Sequence, residues 1–271
     1  MRYKQNLHIH TTYGDGRDRP EELAAEALAR GFDSIGFSEH SYMPFSVSPH
    51  QMTAKKAAAY KEDARALKEQ YRGKLAIFCG MELDFYSEVE TEGFDYLIGS
   101  VHFLNLNGKI LGFDRSLADT QDYIAAHFGG SGLAFAEKYF ETIASLPTKK
   151  VDIIGHFDLP TKNNEKGHFI DVTSPKYLQA GYEAIHALRG KIPFFEVNTG
   201  AIARGYRTAP YPQMEFLREF QRLGFGAVIT SDCHDKALLD HSFPLAEALL
   251  RAAGFTTQWI LTDDGFREVA L

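Results

Sequence analysis

The chain has 271 residues, 44% hydrophobic and 24% charged, the balance of a soluble globular protein with a sizeable core. Its net charge of −7 and the lack of any Lys/Arg run exclude nucleic-acid binding by charge alone. The opening residues lack the apolar core of a signal peptide, and no apolar run approaches the roughly 20 residues that span a bilayer. A cytoplasmic chain without membrane attachment is therefore the expectation.

Residues 3–7 are too short for a helix and read as a strand leading into His8-Ile9-His10. In a strand, residues two apart share a face, so both imidazoles project together and Ile9 packs the other way. Asp15 follows five residues after His10. Pro20-Glu21-Glu22 opens a helix with acidic residues in its first turn, Leu23, Ala24, Ala27 and Leu28 give it an apolar face, and Gly31 ends it. A second strand, 33–38, delivers Glu39-His40 into a loop from Ser41 to Val47 with Pro44 and Pro49 close by. Residues 53–71 form a long helix rich in Ala, Lys and Glu, its alternating charges a solvated face.

Strand three, 75–80, ends in Met81-Glu82, and strand four, 96–101, ends in His102. A stretch of about 45 residues follows, holding a turn at Gly129-Gly130-Ser131-Gly132 and a helix from roughly 134 to 146. Strand five, 151–155, ends in His156. A helix over 175–189 precedes strand six, 192–197, which leads to Asn198-Thr199. A helix over 213–223 precedes strand seven, 226–230, which delivers Ser231-Asp232-Cys233-His234. From Phe255 two short strands flank Asp263-Asp264-Gly265, a hairpin signal. No repeat, low-complexity tract or linker divides the chain, so a single domain over 1–271 is expected. Cys79 and Cys233 make no disulfide framework and read as buried packing residues.

Seven strands, six joined by helical or mixed crossovers and ending in polar residues, are the layout of an α/β barrel with its site at the carboxyl ends of the strands. Seven strands rather than eight imply a distorted, TIM-like barrel. The polar groups at those ends are His8, His10, Asp15, His40, Glu82, His102, His156, Asp232 and His234, including six of the chain's eleven histidines. Imidazoles and carboxylates converging from separate strands are transition-metal ligands, and nine exceed the three protein ligands of one catalytic zinc. Two or three divalent ions sharing a carboxylate fit better. Such sites hydrolyse phosphoesters or amides.

The ordered motifs His8-x-His10-Thr11 with Asp15-Gly16, Ser38-Glu39-His40, Gly80-Met81-Glu82, Ser100-Val101-His102, Gly155-His156-Phe157-Asp158 and Ser231-Asp232-Cys233-His234 resemble those of the polymerase and histidinol phosphatase (PHP) family over residues 3 to about 250. The resemblance implies a distorted (β/α)7 barrel holding up to three divalent metals (zinc, manganese or iron). Carried over residue by residue, His8, His10, Glu82 and Asp232 would hold the first and Glu82, His102 and His156 the second. Asp15, His40 and His234 would hold the third. Cys233 stands where alanine is common in the family, and reads as a small buried side chain between two ligands.

Within the family the chain most resembles stand-alone histidinol-phosphate phosphatases. The shared features are Glu39 to Phe45, Ser100 to Phe103, Glu196-Val197-Asn198-Thr199-Gly200, Arg204 and Tyr211-Pro212. This implies a small phosphomonoester as substrate, with catalytic roles for Glu82, Asp232, His234 and Arg204. Arg204, after strand six, can grip phosphate, and strand six itself offers no implied ligand. Arg207 and Lys162 are further phosphate candidates, Lys162 also readable as an exposed cation. Tyr42, Phe45 and Phe103 are candidates to pack on a substrate imidazole, or on one another. The alternatives are a family member acting on a sugar or nucleotide phosphate, a phosphotyrosyl protein or a DNA 3′ end, and a non-enzymatic metal-stabilised module.

Overall fold

The computed structural model describes residues 3–45 and 52–271; Val47 and Pro49 of the loop expected after His40 lie outside them. Eleven strands are described, β1 (Gln5–Asn6), β2 (Ser34–His40), β3 (Ala76–Asp84), β4 (Tyr96–Ser100), β5 (Phe103–Leu106), β6 (Lys109–Gly112), β7 (Ile153–Ile154), β8 (Phe194–Asn198), β9 (Gly226–Thr230), β10 (Thr257–Thr262) and β11 (Gly265–Ala270). The longer helices are α1 (Pro20–Ala29), α2 (Ala54–Gln70), α3 (Leu117–Phe128) and α4 (Gly132–Ile143). After the short α5 (Asn164–Gly167) come α6 (Pro175–Leu188), α7 (Gly200–Ala203), α8 (Met214–Arg222) and α9 (Phe243–Ala253).

Seven parallel strands run in the order β1-β2-β3-β4-β7-β8-β9. The two edges meet through a parallel bridge between Ile9 and Cys233, with His10 N donating to Cys233 O at 2.8 Å and Cys233 N to His8 O at 2.9 Å. The sheet is thus a nearly closed barrel. β1 is shorter than the expected 3–7 because the Asn6 side chain replaces a stretch of ladder. Its Oδ1 accepts His8 N at 3.0 Å, and its amide donates to Ser231 Oγ and Leu239 O. One crossover differs from expectation: 85–95, between β3 and β4, contains no helix.

Alternation along the strands sorts the side chains. Outward residues such as Ile35, Phe37, Ile77, Leu97, Ile154, Phe195 and Ile229 join the main core against the helices. Inward residues Leu7, Phe78, Tyr96, Ile98, Ile153, Phe194 and Val228 fill the barrel with Leu261 from the C-terminal hairpin. Tyr96 crosses the floor and donates to Phe37 O at 3.0 Å and to Leu7 O. It fits because Gly80 faces it: a Cβ there would lie 2.3 Å from the Tyr96 ring. The expected hairpin forms from β10 and β11, and Gln5 pairs its amide with the backbone of Leu261 at 2.8 Å in both directions. With the floor filled, the next inward positions, Glu82 and Asp84 on β3 and Glu196 and Asn198 on β8, are raised to the opposite mouth.

Candidate metal centre

Glu82 sits at the middle of that mouth, 1% exposed. Its two oxygens face different imidazoles. Oε1 lies 3.0 Å from His156 Nε2 and 3.4 Å from His102 Nε2. Oε2 lies 3.6 Å from His8 Nε2, 3.7 Å from His10 Nε2 and 2.7 Å from His40 Nδ1. Burial opposes its ionisation, but the surrounding imidazoles outweigh that and hold it well below the usual carboxylate range.

Asp232 closes the first group, Oδ1 3.4 Å from His10 Nε2 and 3.7 Å from His8 Nε2. Its backbone takes φ 45°, a left-handed conformation that costs a non-glycine residue about 1–2 kcal/mol. Gly200 makes the turn possible, since a Cβ there would meet Asp232 Cβ at 2.8 Å. At the rim, Asp15 Oδ1 lies 3.3 Å from His234 Nε2 and Oδ2 lies 3.7 Å from His40 Nε2. Asp15 is placed by a loop held at its base by Glu39, whose Oε1 accepts Thr11 N at 2.6 Å. Burial raises the Glu39 carboxyl to about 8.

The donor set fits divalent cations. Buried atoms without a hydrogen-bond partner among the described residues include His8 Nε2, both ring nitrogens of His10 and His156 Nδ1. Orphaned polar atoms at this depth are costly unless something outside the chain satisfies them. Burial, with His234 and His40 beside it, drives the His10 imidazole down to about 3, leaving it neutral with its lone pair free for a cation. Three sets place ligand atoms within 4.8 Å of one another: His10, Asp15, His40 and His234; His8, His10 and Glu82; and His40, Glu82 and His102. The trio implied by resemblance at the rim thus gathers with His10 as neighbour. His40 also reaches the Glu82 sector, and His156 approaches through Glu82.

A layer behind the ligands was not singled out as functional from the sequence. Glu196 on β8 is wholly buried, its Oε2 2.8 Å from His8 Nδ1 and accepting Thr230 Oγ1 at 2.8 Å. Its Oε1 accepts His156 N at 2.6 Å and Asn198 Nδ2 at 2.8 Å. This fixes the His8 ring with Nε2 toward Glu82, the usual arrangement of a ligating imidazole. Strand six therefore does serve the cluster, one layer out. Asp84, two residues after Glu82, accepts His102 N at 2.8 Å and lies 3.3 Å from His102 Nδ1. Period-two spacing from Glu82 was the signal that would have found it.

The mouth opens into a cavity of about 300 Å³, whose wall beyond the candidate ligands is Asp114, Leu159, Lys162, Arg204, Tyr206 and Tyr211. Arg204 lines it but is engaged, donating through Nη1 to Asp232 O at 2.9 Å and through Nη2 to Asp232 Oδ2 at 2.7 Å. Lys162 is not an exposed cation: its side chain is 15% accessible and pairs with Asp114 Oδ1 at 2.6 Å. Arg207 lies behind the wall, where it donates to Thr161 Oγ1, stacks 4.3 Å from the Tyr211 ring and lies 3.7 Å from Asp158. Tyr42, Phe45 and Phe103 do not line the cavity; Tyr42 and Phe45 are exposed, and Phe45 meets Phe103 edge-on at 5.4 Å. Cys79 and Cys233 are buried and unpaired, Cys233 donating to Asp235 O. No helix among the described residues is long and apolar enough to cross a membrane.

Comparison with known proteins agrees with this layout. Histidinol-phosphatase of Bacillus subtilis is 28% identical over 274 residues, covering 89% of this chain and 97% of that protein. Among solved structures, one from Listeria monocytogenes, provisionally assigned as a histidinol phosphatase, superposes with a TM-score of 0.79 at 18% identity over 89% of this chain and 99% of that one. Histidinol phosphate phosphatase of Lactococcus lactis, solved with zinc, L-histidinol and phosphate, gives a TM-score of 0.70 at 19% identity over 97% of this chain and 98% of that one. Both likenesses show the fold. The sequence pattern of the PHP domain family matches residues 6–200, well over half of the chain, and the chain belongs to that family.

Proposed function

We propose that the chain is a metal-dependent phosphomonoesterase that hydrolyses L-histidinol phosphate to L-histidinol and phosphate, a step of histidine biosynthesis. In this reading it is one domain over 1–271, a distorted (β/α)7 barrel with two or three divalent ions. The observation that carries the reading is Glu82, a buried carboxylate whose two oxygens face separate imidazole groups, at the floor of a small cavity with cationic side chains. The curated relatives of this length and architecture supply the substrate.

His8, His10, Glu82 and Asp232 would hold one ion, Glu82, His102 and His156 a second, and Asp15, His40 and His234 a third. Such ions, when bound, supply Lewis acidity, activating water and compensating charge on phosphoryl oxygens. Glu196 and Asp84 hold the His8 and His102 rings in one orientation, so these two rings would meet a cation with little reorientation. Arg204 ties Asp232 in place and lines the cavity, so its charge would bear on a phosphate bound there. A cavity of about 300 Å³ is at the small end of ligand sites, which suits a small phosphomonoester better than a protein or DNA end.

The test is a panel of histidinol phosphate, sugar and nucleotide phosphates, a phosphotyrosyl peptide and a phosphodiester, assayed by phosphate release with added zinc, manganese or iron. Preference for histidinol phosphate supports the reading. Preference for another compound keeps the phosphoesterase and replaces the substrate; no release from any leaves a metal-stabilised module.

A further inference from the structure

We propose that Asp114 is the residue by which this cavity selects a phosphomonoester carrying an ammonium group, an inference that rests on the phosphomonoesterase reading above. Among the described residues, Asp114 is the carboxylate of the cavity wall that belongs to none of the three ligand sets proposed above. It follows β6 on a segment pinned at both sides: Phe113 N donates to His102 O at 3.1 Å, and Asn163 Nδ2 donates to Arg115 O at 3.1 Å. Lys162 fixes one oxygen at 2.6 Å and itself lies over the Tyr206 ring at 4.8 Å. The other oxygen has no hydrogen-bond partner among the described residues, although the side chain is only 27% accessible.

Charge makes this placement informative. A site that bound only phosphate would gain from every cation in its wall and lose from every carboxylate. Here Asp114 cancels Lys162, and Arg204 is already committed to Asp232. The wall therefore offers a preorganised anion beside a cluster suited to divalent cations, an arrangement matching a substrate with a phosphate at one end and an ammonium near it. A carboxylate fixed before binding meets that ammonium with little ordering cost. A site built around such a contact discriminates strongly against an analogue lacking it.

The experiment compares L-histidinol phosphate with its deaminated analogue, 3-(imidazol-4-yl)propyl phosphate, in the metal-loaded protein and in Asp114→Asn and Lys162→Met. The unaltered chain should favour the aminated compound by roughly 30-fold or more in kcat/KM. In Asp114→Asn the aminated compound should fall at least about tenfold further than the analogue, with metal content retained. Lys162→Met leaves the carboxylate but removes the partner that fixes it, so the amine preference should survive at least in part; should Asp114→Asn not fold, Asp114→Ser, read on the same two compounds, decides the matter. Equal losses on both compounds in Asp114→Asn, or loss of the preference in Lys162→Met, would overturn the assignment to Asp114 alone. Absence of phosphate release from either compound by the unaltered chain would overturn the phosphomonoesterase reading with it.

Discussion

Glu196→Gln is the sharpest probe of how the barrel prepares its ligands. The carboxylate accepts from His156 N, Asn198 Nδ2 and Thr230 Oγ1, faces His8 Nδ1 and is fully buried. An amide keeps the shape. With its oxygen toward His156 N, however, its NH2 points at His8 Nδ1 and Thr230. The hydroxyl can rotate to accept; the imidazole can accept only by moving its proton to Nε2, the nitrogen that faces Glu82 and Asp232. His8 would then present a proton where a ligand lone pair is required. Loss of such an outer partner costs about 10–100-fold in metal affinity, or about 1.4–2.7 kcal/mol. The assay is competition with a chelator of known affinity, run beside a thermal melt to establish that the variant is folded. A folded Glu196→Gln with unaltered metal affinity would refute the argument. Glu196→Ala is the harsher control, stranding several buried donors at about 1–3 kcal/mol each.

Three further outcomes follow from the same geometry. Glu82→Gln removes the charge facing both imidazole groups, so metal content and turnover should fall together; elemental analysis beside a phosphate assay checks this, and near-normal turnover would remove Glu82 from the site. His40→Ala should lower bound metal by about one equivalent if Asp15, His40 and His234 hold a separate ion, and unchanged content would make that trio structural. Arg204→Ala should cut kcat/KM for a phosphomonoester by roughly 100-fold, with Lys recovering part of it. Because Arg204 also braces Asp232, metal affinity should weaken too, although the sequence alone had suggested a residue concerned only with phosphate; normal kinetics would make Arg204 an ordinary wall residue.

Five of the seven parallel strands, the second to fifth and the seventh, were legible because each is a short apolar run stopping at a histidine or acid, a pattern that packing on both faces and a polar mouth impose together. The same logic places His8 and His10 on one side with Ile9 outward, even though the strand breaks at Asn6. What escaped the sequence reading had weaker local signals. Helix α3 carries Asp119, Thr120, Gln121 and Asp122 early and little apolar periodicity, and α9 follows Ser242 in a left-handed conformation with Pro244 in its first turn. The β5–β6 hairpin had its signal in Asn107-Gly108, which takes φ 56° and 85°, as a tight two-residue turn requires. Glu196 and Asp114 illustrate a deeper limit. An acid inside an apolar strand or after a hairpin acquires a role only from neighbours 40 or more residues away, such as His156 for Glu196 and Lys162 for Asp114.

The central claim, that the clustered imidazoles and carboxylates hold cations that make this barrel a phosphomonoesterase, is tested most directly by titrating chelator-stripped protein with divalent metal. Phosphate release from L-histidinol phosphate is followed at each equivalent. Release should be absent at the start, rise with added metal and level off at two or three equivalents per chain. Phosphate release that is independent of metal, or saturation with metal and no phosphate released, would contradict the account.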